Sequence, residues 1–229
     1  MRTARAAQAL LLAWLLDGCA ALRPGTTQPE LPDFALPQVL QPRERSAMDL
    51  IPYRELTRAD FRAENPPAEF AGHAFEAGAF TCASLAPIGD TLALFRPTRV
   101  PGVYLARFEN VGFRAQMDRS CSWWNARSVG LPTAYLLEHE QIHFALTELG
   151  ARHLTAALRA VQVETTATEG QAALERRFQT LLNEAREELL RTNTEFDRDT
   201  SGRYAPERQH EWLERVEREL AESATPEPA

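Results

Sequence analysis

Residues 136–150 read LLEHEQIHFALTELG. Leu136, Ile142, Leu146 and Leu149 recur at three- and four-residue steps, and the pattern continues through Leu154, so a helix is expected from about Ala134 to about Val161. On that helix His139, Glu140 and His143 spell H-E-x-x-H. Residues four apart lie on one helical face, one turn above the other, so both imidazoles can aim a ring nitrogen at a single ion. Glu140 stands beside them without being a ligand, within reach of a water on that ion. Zinc lowers the pKa of its water to about 7, so such a carboxylate can take the proton and deliver it to a leaving amine. The plainer alternative is two histidines hydrogen-bonded inside a core.

A zinc site needs a third protein ligand. Leu149 stands six residues after His143, where one class of zinc peptidases carries a third His, and this excludes that class. Glu148 lies five residues on, about 140° around the helix, and His153 lies about 15 Å along the axis, so neither closes the site. A second helix is expected from about Gln171 to Thr194, with Leu174, Phe178, Leu181, Leu182, Ala185 and Leu189 on its apolar stripe. If the two helices form an antiparallel hairpin turning near VETTATEG, the level of the histidines meets residues at about 187 to 199. That brings TEFDRDTSGRY to the ion. Asp197 is the first choice for the third ligand, with Asp199 and Glu195 as alternatives; each could equally be an exposed acid at a helix end. A third, shorter helix covers PERQHEWLERVERELA, with Pro206 where a helix start tolerates it.

The half preceding the motif is of a different kind. From Met48 to about Val129 short β-type runs are broken by Gly and Pro: HAFEAGAFTCASLA, DTLALF and GVYLARFENVGFRAQM. In the last run Val111, Phe113 and Ala115 alternate with Gly112, Arg114 and Gln116, which predicts a half-buried strand. The expected fold class is α+β: a small antiparallel sheet, then the long H-E-x-x-H helix and a C-terminal helical hairpin, a zincin-like arrangement.

At the N-terminus, Arg2 and Arg5 precede an apolar run from Ala6 to Leu16, too short to span a bilayer comfortably. Residues 1–18 read as a signal peptide. LLDGCA resembles a bacterial lipobox, with Cys19 as the lipidated residue, although Asp17 stands where a small or apolar residue is usual; plain secretion with nearby cleavage is the alternative. Residues 19–47 form a Pro-rich linker, 48–220 a single folded domain, and 221–229 a short tail. Cys82 and Cys121 remain, in a compartment that permits disulfides, and a bond between them is expected, with two buried thiols as the alternative. A net charge of −7 leaves no basic surface for nucleic acid, and all 25 basic residues are Arg.

With these residues in view, LLEHEQIHFALTELGARHL resembles the core motif of the predicted secreted Zn-dependent proteases, a bacterial family otherwise catalogued as a domain of unknown function. LTRADFRAENPP, AFTCASLA, FRAQMDRSCSWW and FDRDTSGRYAPERQHEW follow the same pattern in order, from Leu56 to Trp212. The resemblance implies that His139 and His143 bind zinc and that Glu140 is the catalytic base. The family pattern near the C-terminus resembles Tyr-Asp-x-x-Thr-x-His, which here becomes Phe196, Asp197, Arg198, Asp199, Thr200, Ser201 and Gly202. Gly202 replaces the His, so Asp197, Asp199 or His210 would have to supply the missing ligand. Tyr204 and Arg203 are the candidates for stabilising a developing oxyanion. Trp123 and Trp124 either line a substrate groove or pack beside the disulfide.

The expected protein is a lipid-anchored zinc metallopeptidase of the bacterial cell envelope. It faces the periplasm, the outer membrane being favoured, touches the membrane through lipid only, and offers a sheet edge to an extended peptide or protein substrate. The alternative from another class is a non-catalytic envelope lipoprotein that binds a protein partner, with a structural or lost metal site. A zinc amidohydrolase acting on cell-wall peptides is a third.

Overall fold

A computed structural model describes residues 49–66, 78–89, 91–125, 130–200 and 204–223. The expected signal peptide, Cys19, the linker, Gly202 and Arg203 lie outside them. The architecture is α+β. Among the described residues, eight short strands, β1 (Leu50–Pro52), β2 (Ala79–Phe80), β3 (Ala83–Pro87), β4 (Leu92–Pro97), β5 (Val103–Glu109), β6 (Phe113–Asp118), β7 (Trp123–Trp124) and β8 (Val163–Thr166), accompany three α-helices, α1 (Thr133–Arg159), α2 (Gly170–Thr200) and α3 (Pro206–Glu222). Among the described residues no helix is long and apolar enough to cross a membrane.

The sequence suggests one small sheet, whereas among the described residues the strands divide into three antiparallel ones, ordered β1-β6-β3, β2-β7 and β4-β5-β8. Two kinks make the division. The Ala83 N–H donates to Thr81 O at 3.1 Å, a tight turn that parts β2 from β3. Asn110 takes a left-handed φ of 54° between β5 and β6, a conformation Asn tolerates better than most residues. β8 is a further departure, because VETTATEG reads as a turn while Val163–Thr166 pairs with Val103–Ala106 of β5. Four residues are too few for a period to declare itself, although Val and Thr favour the pleat.

α1 is the spine of the molecule. Ile142, Leu146 and Leu149 pack with Leu189 and Phe196 of α2 and with Trp212 and Val216 of α3. Phe144, fully buried, packs with Leu56, Phe61, Ala115 and Met117, and Leu154 and Leu158 join Phe108, Phe113, Leu174 and Phe178. Burying such an aromatic is worth about 3–5 kcal/mol against truncation to Ala. The alternation along β6 holds, with Phe113, Ala115 and Met117 buried and Arg114 exposed.

Side chains of α1 also complete the sheet. The N–H groups of Phe113 and Ala115, beyond the residues that pair with β1, donate to Thr155 Oγ1 and Glu148 Oε2, both at 2.8 Å. Glu148 is thus fixed as a structural acceptor, which agrees with its position off the histidine face. α2 follows α1 antiparallel and runs six residues past the expected Thr194, to Thr200. Phe196, seven residues after Leu189, continues the buried stripe and holds that last stretch in the helix.

Candidate metal centre

His139 and His143 project from the middle of α1 with side chains only 13% and 18% exposed. Phe196 of α2 is wedged behind them, stacked on the His139 ring at 4.5 Å and edge-on to His143 at 4.9 Å. Trp212 of α3 backs Phe196 in turn, with ring centroids 5.4 Å apart. The rings therefore have little room to swing.

Their tautomers are set from outside. Asn193 donates its amide nitrogen to Leu189 O at 2.7 Å, so its Oδ1 must be the atom that meets His143 Nδ1 at 2.6 Å. An amide oxygen only accepts, so His143 Nδ1 carries a hydrogen. Thr200 behaves alike toward His139: its hydroxyl hydrogen goes to Phe196 O at 2.7 Å, leaving Oγ1 to accept from His139 Nδ1 at 3.4 Å. In the neutral form of each ring the lone pair is then on Nε2. The two Nε2 atoms face each other at 3.1 Å, and Asp197 Oδ1 lies 3.1 Å from that of His143 and 3.3 Å from that of His139.

Three acceptor atoms converging in this way repel one another unless something positive sits among them. A proton can serve. Burial alone would depress His143, but the Asp197 carboxylate, with help from Glu140 and Asn193, raises it to about 9. Asp197 opposes its own desolvation through the two histidines and is held well below the usual carboxylate range. A metal ion can serve too. Tetrahedral ligands at about 2.0–2.1 Å from zinc stand about 3.3 Å from each other, close to all three separations here. Among the described residues, these three form the one grouping of His, Cys, Asp or Glu side chains with metal-like proximity. The donor set, two imidazoles and a carboxylate, suits zinc, and the residues present fit the ion.

Glu140 follows His139 directly on the same helix, and its carboxylate acts electrostatically on His143. It is buried, 4% exposed, and its Oε2 accepts a 2.7 Å hydrogen bond from Thr81 Oγ1 at the kink between β2 and β3. The other residues singled out in the sequence are not gathered here. Glu195 pairs with Arg191, Asp199 accepts from Trp212 Nε1 at 3.1 Å, and His210 is exposed beside Glu214. His153 is exposed on α1. Tyr204 is 56% exposed and packs edge-on against Tyr135 at 5.0 Å. Cys82 and Cys121 are bonded to each other, their Cα atoms 5.7 Å apart, and Trp123 is buried in β7 nearby.

Residues 116–203 match a family model described as bacterial protein of unknown function (DUF922). The match covers less than half of the 229-residue chain but contains α1, α2 and all three converging side chains, while Thr81, Cys82 and α3 fall outside it. No curated protein and no solved structure matches the chain.

Sequence reading did not single out Asn193 or Thr81, and Thr200 entered only as part of a motif. A signal was there. Asn193, Asp197 and Thr200 stand at i, i+4 and i+7, so three polar side chains share one face of a helix that must pack against a buried partner. Thr81 gave no such sign, because its contact bridges 59 residues of sequence.

Proposed function

We propose that the protein is a zinc-dependent peptidase of zincin-like design, with His139, His143 and Asp197 as ligands and Glu140 as general base. The observation that carries this reading is the triangle of His139 Nε2, His143 Nε2 and Asp197 Oδ1 with sides of 3.1–3.3 Å, directly beside Glu140 in sequence. When bound, zinc supplies Lewis acidity to a water and to the scissile carbonyl. The chain's own residues do the rest. Asn193 and Thr200 keep the imidazole lone pairs turned inward. Glu140, with Oε2 engaged by Thr81, presents its remaining oxygen to take a proton from the attacking water and return it to the leaving amine. Tyr204 is the candidate to meet the oxyanion, since it is the exposed aromatic beside Tyr135, one turn before His139.

A non-catalytic lipoprotein with a structural metal is less well supported. Structural zinc sites are closed by four protein ligands, whereas three converge here among the described residues, which leaves a position open. The N-terminal reading adds a lipid anchor at Cys19 and an envelope location facing the periplasm. Acyl mass on the N-terminal peptide of the mature chain tests it.

The decisive functional test is Glu140→Gln. It should retain zinc while losing peptide hydrolysis by at least about a hundredfold, the scale of a lost general base. Unchanged hydrolysis would remove Glu140 from the chemistry.

A further inference from the structure

A buried carboxylate that must take and return a proton cannot be allowed several orientations, and Glu140 stands at 4% exposure on a helix that fixes its Cα but not its side chain. The partner that fixes it comes from the strand layer. Thr81 Oγ1 donates to Glu140 Oε2 at 2.7 Å, a charge-assisted bond across two elements.

The backbone that carries Thr81 is held on both sides. On its C-terminal side Cys82 is bonded to Cys121. The Cys82 N–H donates to Ser122 Oγ at 3.0 Å, Ser122 Oγ donates to Asp118 O at 2.7 Å, and the Asp118 N–H returns to Cys82 O at 2.8 Å. Ser122 is fully buried and Cys82 nearly so. On the N-terminal side β2 is paired with β7, Ala79 opposite Trp124 and Phe80 opposite Trp123. The 3.1 Å bond from the Ala83 N–H to Thr81 O closes the kink itself. A short stretch of chain is thus pinned at both ends, and the side chain between the pins is the one that touches Glu140.

We propose that Thr81 is a positioning residue for Glu140, and that the Cys82–Cys121 disulfide with the Ser122 bonds serves to hold Thr81 in place. This inference rests on the role given to Glu140 above. Thr81 acts by holding one carboxylate oxygen so that the other faces the water. It makes no bond to substrate and takes no part in proton transfer.

Two measurements on the full chain test it, one of them independent of catalysis. The first is a double-mutant cycle in urea unfolding, on chelator-treated protein, with Thr81→Val, Glu140→Ala and the pair. The two changes should be non-additive by about tenfold in the unfolding constant, as expected for a hydrogen bond to a charged group. Thr81→Ser, which keeps the hydroxyl, should unfold close to the parent, and Thr81→Ala replaces Thr81→Val if the latter does not fold. Additivity within about twofold would overturn the proposal. The second is peptide hydrolysis: Thr81→Val should lower kcat about ten- to a hundredfold with KM and zinc content unchanged, and Thr81→Ser should restore it. A parent that hydrolyses peptides with a Thr81→Val variant of equal kcat overturns the proposal. A parent that hydrolyses nothing, with the unfolding coupling intact, overturns the peptidase reading and upholds the contact.

Discussion

Asn193 Oδ1 lies 2.6 Å from His143 Nδ1, and this one contact decides which nitrogen of the neutral imidazole carries the lone pair. Asp197, one turn along α2 from Asn193, meets the opposite nitrogen of the same ring at 3.1 Å. One helix therefore supplies both a candidate ligand and the group that orients another. Replacing Asn193 by Leu should weaken zinc binding about 10- to 100-fold while leaving its stoichiometry at saturation unchanged, whereas Asn193→Asp keeps the acceptor and should bind near the parental level. Competition with a chelator of known affinity measures both.

Glu148 and Asp197 separate structure from ligation. Asp197→Ala should cost far more zinc affinity than Glu148→Ala. The latter leaves the buried Ala115 N–H without its 2.8 Å acceptor, and Arg152 without its 2.9 Å partner. It should lower stability by about 1–3 kcal/mol with zinc binding kept. Chelator competition and urea unfolding on the two variants give the ranking, and the reverse order would refute the site as described.

In the proposed site a proton and a zinc ion would compete for the same place. His143 is raised from its ordinary value of 6.5 to about 9, so zinc entering the proposed site at pH 7 would displace a proton from it. Calorimetry in buffers of different ionisation heat should find about one proton released per zinc bound at pH 7, and fewer above pH 9.

The same shift has a signature in stability. A histidine whose folded value is raised stabilises fully below its unfolded value, 6.5, and that contribution fades as pH rises through about 9. Asp197, held below its ordinary 3.8, contributes above that pH and loses its contribution as pH falls below it. The pair thus supports the metal-free chain best between these limits. The half-exposed Asp197 side chain keeps the effect modest, 49% of it being accessible. Thermal midpoints from pH 4 to 10 should show an alkaline decline that Asp197→Asn flattens.

Phe196 was legible as a stripe residue only in retrospect. Seven residues from Leu189, it carries α2 past the expected end at Thr194 and thereby brings Asp197 and Thr200 to the level of the histidines. The H-E-x-x-H spacing, the α1 period and the antiparallel count to residues 187–199 need only helical geometry, so they could be read from local sequence. That count brings Glu195, Asp197 and Asp199 to the level of the histidines, with Asp197 as first choice, and does not by itself separate the three. β8, the division into three sheets and the Thr81 contact could not, because each depends on pairings between segments tens of residues apart, with no local periodicity to announce them. The cysteine pairing was reachable from number, since with Cys19 expected to carry lipid only Cys82 and Cys121 are left to pair.

The most direct test of the central claim is zinc content per chain of the protein from residue 48 onward, purified without added metal, beside His139→Ala and Asp197→Ala. About one zinc in the parent, sharply reduced in both variants, is the expected result. No zinc in the parent after dialysis against the ion, or undiminished zinc in the variants, would contradict it.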